Sequence, residues 1–513
     1  MNASRISDKV NRIPKLHVTT LCIFAILLTC NGCVKSKRTI ESTRISNSQQ
    51  DKKYFECVKI DTPSQMTLED IVEIALNQNL DLYVKELEYE IQKEAATGAK
   101  LDMLPELLFS GEANKRNNNP GSSSASLIPG VPPAPPSVSS DKRTTRWNIT
   151  LTWNLLDFGI SYYKARQEAN AVLIQYFEYE RLKQNLVLDL TVHYWNAVAA
   201  LEAFLRTEKF IEVLKTHEVA LVRASDTHLI SQTRVLTTQE KILEYEFKMK
   251  EYQREYHFAM SELTRLMGLP PSVEFELIYD REKPLTIDLP HIHSLEEIAL
   301  QERPELYNYD MEEKISIDEV RVAFLELFPG SSMFAGYNYD ENRFLVNNYW
   351  NLVGLKTAWD LFSIPTAIRR ERIAKQQVSL ARRNRLAISL ATISQVNLAY
   401  LLYLDDMDRH TLALKLEDIK LRQLRDAKTK KIVGRFDLAD VLEYESSVLD
   451  AEIKAWRTYG DAQYSLEQLN NAIGQPLYFR NLQVQPKKEN QWIQDPLVQE
   501  NDQKTKQVEA KKL

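Results

Sequence analysis

The segment Ala75–Leu82, which reads ALNQNLDL, decides the fold because the chain repeats it. The repeat is Ala299–Leu306, which reads ALQERPEL, so the numbering offset between the two segments is 224 (299 less 75). Trp153–Asp157, WNLLD, likewise returns as Trp359–Ser363, WDLFS, at an offset of 206 (359 less 153). The second offset is smaller than the first by 18, so the first copy carries extra length between its strands. Duplication on this scale predicts one architecture built from two halves.

The two copies share one order of elements, which is amphipathic helix, strand, loop, strand and very long helix. The first copy occupies residues 62–285, with strands at about 106–114 and 144–157 and a loop at 115–143. The second occupies 286–482, with strands at about 332–340 and 348–359. In the first copy, helical spacing of apolar residues predicts one helix from Met66 to about Leu104.

The second strand has the clearest alternation in the chain. Apolar residues at odd positions alternate with polar ones from Trp147 to Leu155. One apolar and one polar wall over about nine to eleven residues is what a transmembrane β-strand needs. A half-buried strand of a soluble sandwich alternates in the same way. For one strand alone, both interpretations stay open.

Two stretches predict exceptionally long helices. Neither glycine nor proline occurs anywhere from Ser161 to Met267, and both are absent again from Thr366 to Val433. A helix of about 70 residues spans on the order of 100 Å. The shorter helices, such as 66–104 and 235–267, together match that length, so two of them can stack end to end beside one long helix.

Composition argues against several functional classes. Charged residues make up 27% of the chain and the net charge is −6, so no basic excess indicates a nucleic-acid partner. The eight histidines are dispersed, and His291 and His293 lack a matching cysteine or histidine pair. The sequence shows no catalytic constellation, so we expect neither an enzyme nor a bound metal or cofactor.

The N-terminal segment 1–32 has the pattern of a lipoprotein signal peptide. A basic segment precedes the apolar run Leu21–Thr29, which is shorter than the roughly 20 residues that span a bilayer. The run ends in a pattern that resembles a lipobox, with Cys33 as the favoured lipidated residue and Cys30 as the alternative. Val34 in place of aspartate favours sorting to the outer membrane. Residues 33–61 then form a lipid-anchored tether, and the polar tail 483–513 is expected to be disordered.

Four membrane-length strands cannot close a sheet within one chain. Unpaired backbone groups at the sheet edges would be left unsatisfied in hydrocarbon. Because about eight strands give a barrel filled by its own side chains, a hollow barrel needs more, and three chains supply twelve. The same argument predicts that the long helices assemble into a hollow cylinder.

The repeated segments, the strand that ends in Trp153–Gly159 and the long helices resemble the TolC-like outer membrane efflux proteins over residues 62–482. The resemblance implies a mainly α protein with a transmembrane β part, namely a homotrimeric 12-stranded β-barrel on a periplasmic α-helical barrel. It implies a passive channel of a tripartite efflux or type I secretion system. The partners would be a periplasmic adaptor and an inner-membrane pump of the RND or ABC type. The alternative is a coiled-coil periplasmic lipoprotein with a structural role.

One glycine-containing interruption of the helices resembles the periplasmic tip of this family. By that resemblance, Val433 and Gly434 would contact the adaptor, while Arg435 stands where the motif has leucine. The counterparts in the first copy, which lacks the glycine, are Leu229, Ile230 and Ser231.

The same resemblance assigns two carboxylates to the channel entrance. Asp440 and Glu443 are three residues apart and therefore share one helix face. In a trimer they would form acidic rings that favour cations. The alternative is a solvated helix start without a role in conduction.

Overall fold

The computed structural model describes residues 37–57, 63–125, 127–130, 132–226, 231–281, 289–432 and 438–475. The chain divides into two compact units. In the described part of the first unit, the predicted tether contains an exposed helix, α1 (Lys37–Cys57). The signal peptide (1–32), Cys30, Cys33 and the tail 483–513 lie outside the described residues.

The second unit, Ser64–Val484, contains the duplicated architecture. Its first half consists, in chain order, of β1 (Gln65–Met66), α2 (Leu68–Gln78), α3 (Leu80–Leu101), β2 (Glu106–Lys115), β3 (Gly121–Ser122), β4 (Ser137–Val138), β5 (Arg143–Asn154), α4 (Leu155–Asp226) and α5 (Gln232–Leu266). Its second half consists of β6 (Glu276–Leu277), α6 (Ile292–Glu302), α7 (Pro304–Leu325), β7 (Gly330–Asp340), β8 (Tyr349–Ala358), α8 (Ile364–Ile432) and α9 (Leu438–Ile473). The predicted helix–strand–strand–helix order therefore occurs in both halves.

The single helix predicted from Met66 to about Leu104 is wrong, because the structure has two helices there. Thr67 and Asp70 form a capping box that starts α2. Asn79 then leaves helical geometry, with φ −60° and ψ 126°. Its side chain caps α3 by accepting a hydrogen bond from the Leu82 amide at 2.9 Å, and it donates to the Leu266 carbonyl oxygen at 2.8 Å. One polar residue thus ends α2, starts α3 and ties both to the end of α5.

The second half breaks its helix at the equivalent place. Arg303, which corresponds to Asn79 at the offset of 224, separates α6 from α7 with φ −68° and ψ 125°. Pro304 follows it, and the residue before a proline is disfavoured in helical geometry. Gly268 after α5 and Gly474 after α9 correspond at the offset of 206, and both have positive φ. Each packs against the break in its own half, Gly268 on Asn79 and Gly474 on Arg303.

The main sheet has four antiparallel strands in the order β2-β5-β7-β8. Pairing of β5 with β7 joins the two halves of the chain. The second strand ends at Asn154 instead of the predicted residue 157, because Leu155 already begins α4 although it continues the apolar alternation. Two short pairs complete the sheets of the described residues, β1 with β6 and β3 with β4.

The long helices organise the packing of this unit. The α4 helix has 72 residues and α8 has 69. The α4 helix packs against α3, α5, α7 and α9, whereas α8 packs against α6, α7 and α9. The shorter helices α3 and α5 therefore share α4 as a common neighbour, and within one chain α8 has fewer helical neighbours.

The core lies along these helix seams. One cluster joins α4, α5 and α9 through Leu214, Tyr245 and Leu442 among others, and a second joins α6, α8 and α9 around Val396 and Leu469. Near the start of α2, the Tyr194 hydroxyl donates to the Ile278 carbonyl oxygen and the Tyr459 hydroxyl donates to the Asp280 carbonyl oxygen at 3.0 Å. These bonds fix the segment that connects the two halves across α4 and α9.

Candidate functional site

The four-stranded sheet has one apolar and one polar face. Its register places residues of equal parity opposite each other, for example Leu107 opposite Leu151, Leu151 opposite Ala335 and Ala335 opposite Val353. Because side chains alternate along a strand, these residues share one face. The large apolar side chains of this face are exposed, including Phe109 at 67% and Val353 at 79%. The face has no covering element among the described residues of the chain.

Aromatic rings concentrate at the two ends of the apolar face. Trp147 packs against Tyr337 and Tyr339 near the loop ends of the strands, with ring centroids 5.6 and 5.3 Å apart. At the helix ends, Trp153 contacts Phe158 at 5.7 Å. An apolar band between two aromatic girdles is typical of the lipid-facing surface of membrane β-barrels.

The opposite face is largely polar. The Ser110 hydroxyl donates to Asn148 Oδ1 at 2.8 Å, and Arg146 Nε lies 2.8 Å from Asp340 Oδ2. Asp340 also accepts a hydrogen bond from the Asn342 amide at 3.0 Å. These residues can line water, and they are the chemistry expected for the inner wall of a channel.

The sheet is open at both edges. Each of the edge strands β2 and β8 pairs along one side only within the chain. Their outer N–H and C=O groups therefore have no ladder partner within this sheet. In hydrocarbon such groups cost several kcal/mol each, so this sheet needs further strands to span a membrane.

At the far end of the long helices, four helices converge near the predicted tip. Leu214 of α4 and Leu442 of α9 belong to one buried cluster. Lys428 Nζ of α8 lies 2.9 Å from Glu445 Oε1 of α9, which joins the second pair of helices close to their ends. Burial lowers the pKa of His217 in α4, where nearby Glu445 acts in the opposite direction and Lys431 in the same one. The helix ends of both halves thus lie together.

The residues predicted for the tip fall partly inside the described structure. Ser231 is the N-cap residue of α5, without a side-chain hydrogen bond to the helix. The other five predicted contact residues lie outside the described residues; they are Leu229, Ile230, Val433, Gly434 and Arg435.

Asp440 and Glu443 both lie at the start of α9. Asp440 is half-buried in the first helical turn and Glu443 is exposed. Carboxylates at this position interact favourably with the positive end of the helix dipole. Their placement is compatible with an entrance ring and equally with a solvated helix start.

Sequence reasoning missed the buried carboxylate of Glu467. Glu467 of α9 is 5% exposed and lines a cavity of about 150 Å³ together with Tyr194 and Tyr459. Burial raises the pKa of Glu467 to about 7, opposed by a hydrogen bond from Asn470. No feature of the sequence distinguishes Glu467 from other charged helix residues, because its burial depends on the segment that crosses over α4 and α9.

Sequence comparisons identify no relative of this chain. No protein-family model matches it, and no curated protein matches it significantly.

Solved structures do match the fold. The outer-membrane channel OprN aligns with a TM-score of 0.67 and 18% identity over 80% of this chain and 90% of its own. The CmeC outer membrane channel of Campylobacter jejuni gives a TM-score of 0.68 and 15% identity over 82% of this chain and 90% of its own. The open state of the MtrE outer membrane channel of Neisseria gonorrhoeae gives 0.65 and 16% identity over 80% and 89%. The chain therefore has the fold of these outer-membrane channels, which confirms the predicted resemblance.

Proposed function

We propose that this protein is the outer-membrane channel of a tripartite efflux or type I secretion system. It would act as a passive exit duct for substrates that an inner-membrane pump delivers through a periplasmic adaptor. The observation that carries the proposal is the open-edged sheet, whose apolar face is exposed and whose other face is polar, at the end of helices about 100 Å long.

Closure of the sheet requires other copies of the chain. Three chains would contribute twelve strands, which exceeds the roughly eight of a barrel filled by its own side chains. The polar faces would then line a water-filled lumen and the apolar faces would contact lipid. The proposed assembly is a homotrimer in the outer membrane.

The helical region carries exposed apolar stripes on two flanks. On α3 they include Val84, Leu87 and Ile91, with exposures of 54%, 45% and 68%. On α8, an 18-residue stretch has a mean hydropathy of 1.4, with only 22% of it buried, so by composition alone it could cross a membrane. Since α8 continues for 69 residues below the sheet, we assign this surface to packing between copies in a periplasmic α-helical barrel.

The far ends of the helices are the proposed docking region for the adaptor. Val433, Gly434 and Arg435 of the second half would meet it together with the first-half residues Leu229, Ile230 and Ser231. The convergence of α4, α5, α8 and α9 at this end supports the proposal, because the described helix ends that flank the two predicted segments lie together. The pump, of RND or ABC type, would act through the adaptor.

Two further assignments complete the proposal. Asp440 and Glu443 would form acidic rings at the entrance, where their charge favours cations. Cys33 would carry the lipid that anchors the N-terminus to the outer membrane, with Cys30 as the alternative.

Planar-bilayer recording of the purified protein tests the function. We expect heat-resistant trimers in detergent and discrete conductance steps in the bilayer. A water-soluble protein that forms no pore would support the structural lipoprotein instead. A matched control is the Leu151→Lys variant, which places a charge on the apolar face and should abolish insertion without touching the helices.

A further inference from the structure

The two halves of one chain meet at a seam that is made of β5 with β7 and of α4 with α7. In the sheet, Ile149 lies opposite Tyr337 and Trp153 opposite Met333. Along the helices, Arg166 Nε of α4 lies 3.4 Å from Asp318 Oδ2 of α7. This seam shows how a long helix of one half covers a short helix of the other.

The repeat offsets hold at the level of residue pairs. Glu106 pairs with Thr152 in the first half. Adding 224 to the first number and 206 to the second gives Gly330 and Ala358, which pair in the second half. Residues of the first half outside the longer loop can therefore be assigned counterparts in the second, at the offset of 224 as far as β2 and of 206 from β5 onward.

Equivalent faces of the two halves differ in whether they are covered. In α7, Met311, Asp318 and Val322 are buried against the chain's own helices. Their counterparts in α3, at the offset of 224, are Leu87, Glu94 and Gly98, all exposed.

The long helices α4 and α8 also differ in whether the equivalent face is covered. The α4 helix covers α7, where Gln167 of α4 is half-buried and donates to the Glu319 carboxylate of α7 at 2.9 Å. Its counterpart in α8 at the offset of 206, Ile373, is 53% exposed. One chain therefore presents a bare α3 face at one flank and a bare α8 face at the other.

We propose that each copy covers the α3 face of the next copy with its α8, in the geometry of its own α4–α7 seam. Adding 206 to Arg166 and subtracting 224 from Asp318 pairs Arg372 with Glu94 of the next copy. The same operation on the strands pairs β8 with β2 of the next copy, with Leu355 opposite Ala113 and with Trp359, one residue beyond β8, opposite Phe109. The inference rests on the proposed function, because it assumes that copies close the sheet, and it fixes the register in which they do so.

The chemistry of the transferred pairs agrees with this register. Shifting the residue numbers converts the Arg166–Asp318 pair into Arg372–Glu94. Both pairs consist of an arginine and a carboxylate. The shift keeps Leu355 and Ala113 on the apolar face, since both are odd-numbered strand residues like Leu151.

The same shift of residue numbers also gives chemically compatible partners for aromatic residues at the boundary between two copies. Trp359 opposite Phe109 adds an aromatic cross-strand pair. The stacked rings of Phe177 and Tyr307, with centroids 4.6 Å apart, become Arg383 and Tyr83 of the next copy. An arginine can lie over a tyrosine ring in the same place.

Site-directed crosslinking tests the register. In a Cys57→Ser background, Arg372→Cys and Glu94→Cys are combined, and the protein is treated in outer membranes with a short bismaleimide. We expect covalent dimers and trimers on denaturing gels. The off-register control combines Arg372→Cys with Leu87→Cys, which lies two turns or about 10.5 Å further along α3 and should crosslink at least fivefold less. Arg166→Cys with Asp318→Cys should crosslink within the monomer.

A charge exchange provides an independent readout. Arg372→Glu should lower the temperature at which detergent trimers dissociate, and adding Glu94→Arg should restore it. Conducting trimers without preferred Arg372–Glu94 crosslinking, or without rescue by the double exchange, would overturn this register and leave the proposed channel standing. Monomers without conductance would overturn both.

Discussion

Arg146 Nε lies 2.8 Å from Asp340 Oδ2, and this salt bridge joins β5 of the first half to β7 of the second. Asp340 is 7% exposed and also accepts the Asn342 amide, which starts the turn after β7. A single carboxylate therefore holds the loop end of the strand pair that connects the two repeats.

Asp340→Ala should destabilise the protein by about 1–3 kcal/mol, because it leaves a guanidinium and a backbone amide without their acceptor. Denaturant unfolding in detergent measures the change. The control is Asp426→Ala, whose partner Lys430 lies on the exposed surface of α8, where an i,i+4 pair contributes roughly 0.3–0.5 kcal/mol. Equal effects of the two substitutions would contradict the role assigned to Asp340.

Leu151→Lys and Thr150→Lys should differ although the two positions are adjacent in β5. Leu151 lies on the apolar face, where lysine costs about 2–4 kcal/mol at the bilayer midplane. Thr150 lies on the polar face, where lysine stays in water. Heat-resistant trimers in outer-membrane fractions are expected for Thr150→Lys and not for Leu151→Lys; the reverse result would exchange the lipid and lumen faces.

Gly268→Ala should destabilise the helix junction. Gly268 has φ +71°, and an added Cβ would collide with the Gln78 carbonyl oxygen. The left-handed conformation alone costs roughly 1–2 kcal/mol for alanine. As a control, Gly330→Ala lies at the start of β7 on the polar face, where an added Cβ would lie 3.8 Å from the Ala358 carbonyl oxygen, an ordinary contact, and it should stabilise the strand by about 0.5–1 kcal/mol. Thermal unfolding should show a lower midpoint for Gly268→Ala and a higher midpoint for the control. A change in the same direction for both variants would contradict the role assigned to Gly268.

Glu467 predicts a pH dependence of stability. Burial raises its pKa to about 7, whereas an unfolded glutamate titrates near about 4.3. Between these values the folded state binds more protons than the unfolded state, so stability should fall as pH rises from about 4.3 to 7 and then level off. Glu467→Gln should remove this contribution and be more stable than the parent at pH 8. If the stability of the two proteins depends on pH in the same way, the pKa of Glu467 is not raised in the folded protein, and this prediction is wrong.

Asp440→Asn combined with Glu443→Gln should reduce cation preference, because two acidic rings at the proposed entrance lose their charge. Reversal potentials in a salt gradient across a planar bilayer measure this. Asp450→Asn is the control, since Asp450 lies further along α9 and interacts with Lys248 at 3.7 Å. An unchanged reversal potential in the double variant would favour the solvated helix start.

Much of this architecture could be predicted from local patterns. The paired segments at Ala75–Leu82 and Ala299–Leu306 established the duplication, and the alternation around Trp153 predicted the strand. Long glycine-free stretches predicted the helices α4 and α8. These predictions succeeded because periodicity in a strand or helix is a property of consecutive residues.

The failures occurred where distant contacts decide the local geometry. Asn79 ends a helix because its side chain bonds the Leu266 carbonyl oxygen from another element, and helical spacing on either side conceals the break. Leu155 continues the alternation of β5 and yet begins α4.

The sequence by itself determined the duplication, the order of the four long strands and the long helices, and the lengths of α4 and α8, because these follow from residue spacing. Only the tertiary structure decided that the face of α7 is covered by another helix of the chain while the equivalent face of α3 is not. Asp318 is buried beside Arg166, while its counterpart Glu94 stays exposed, because a helix pair forms only where the chain brings a second helix alongside.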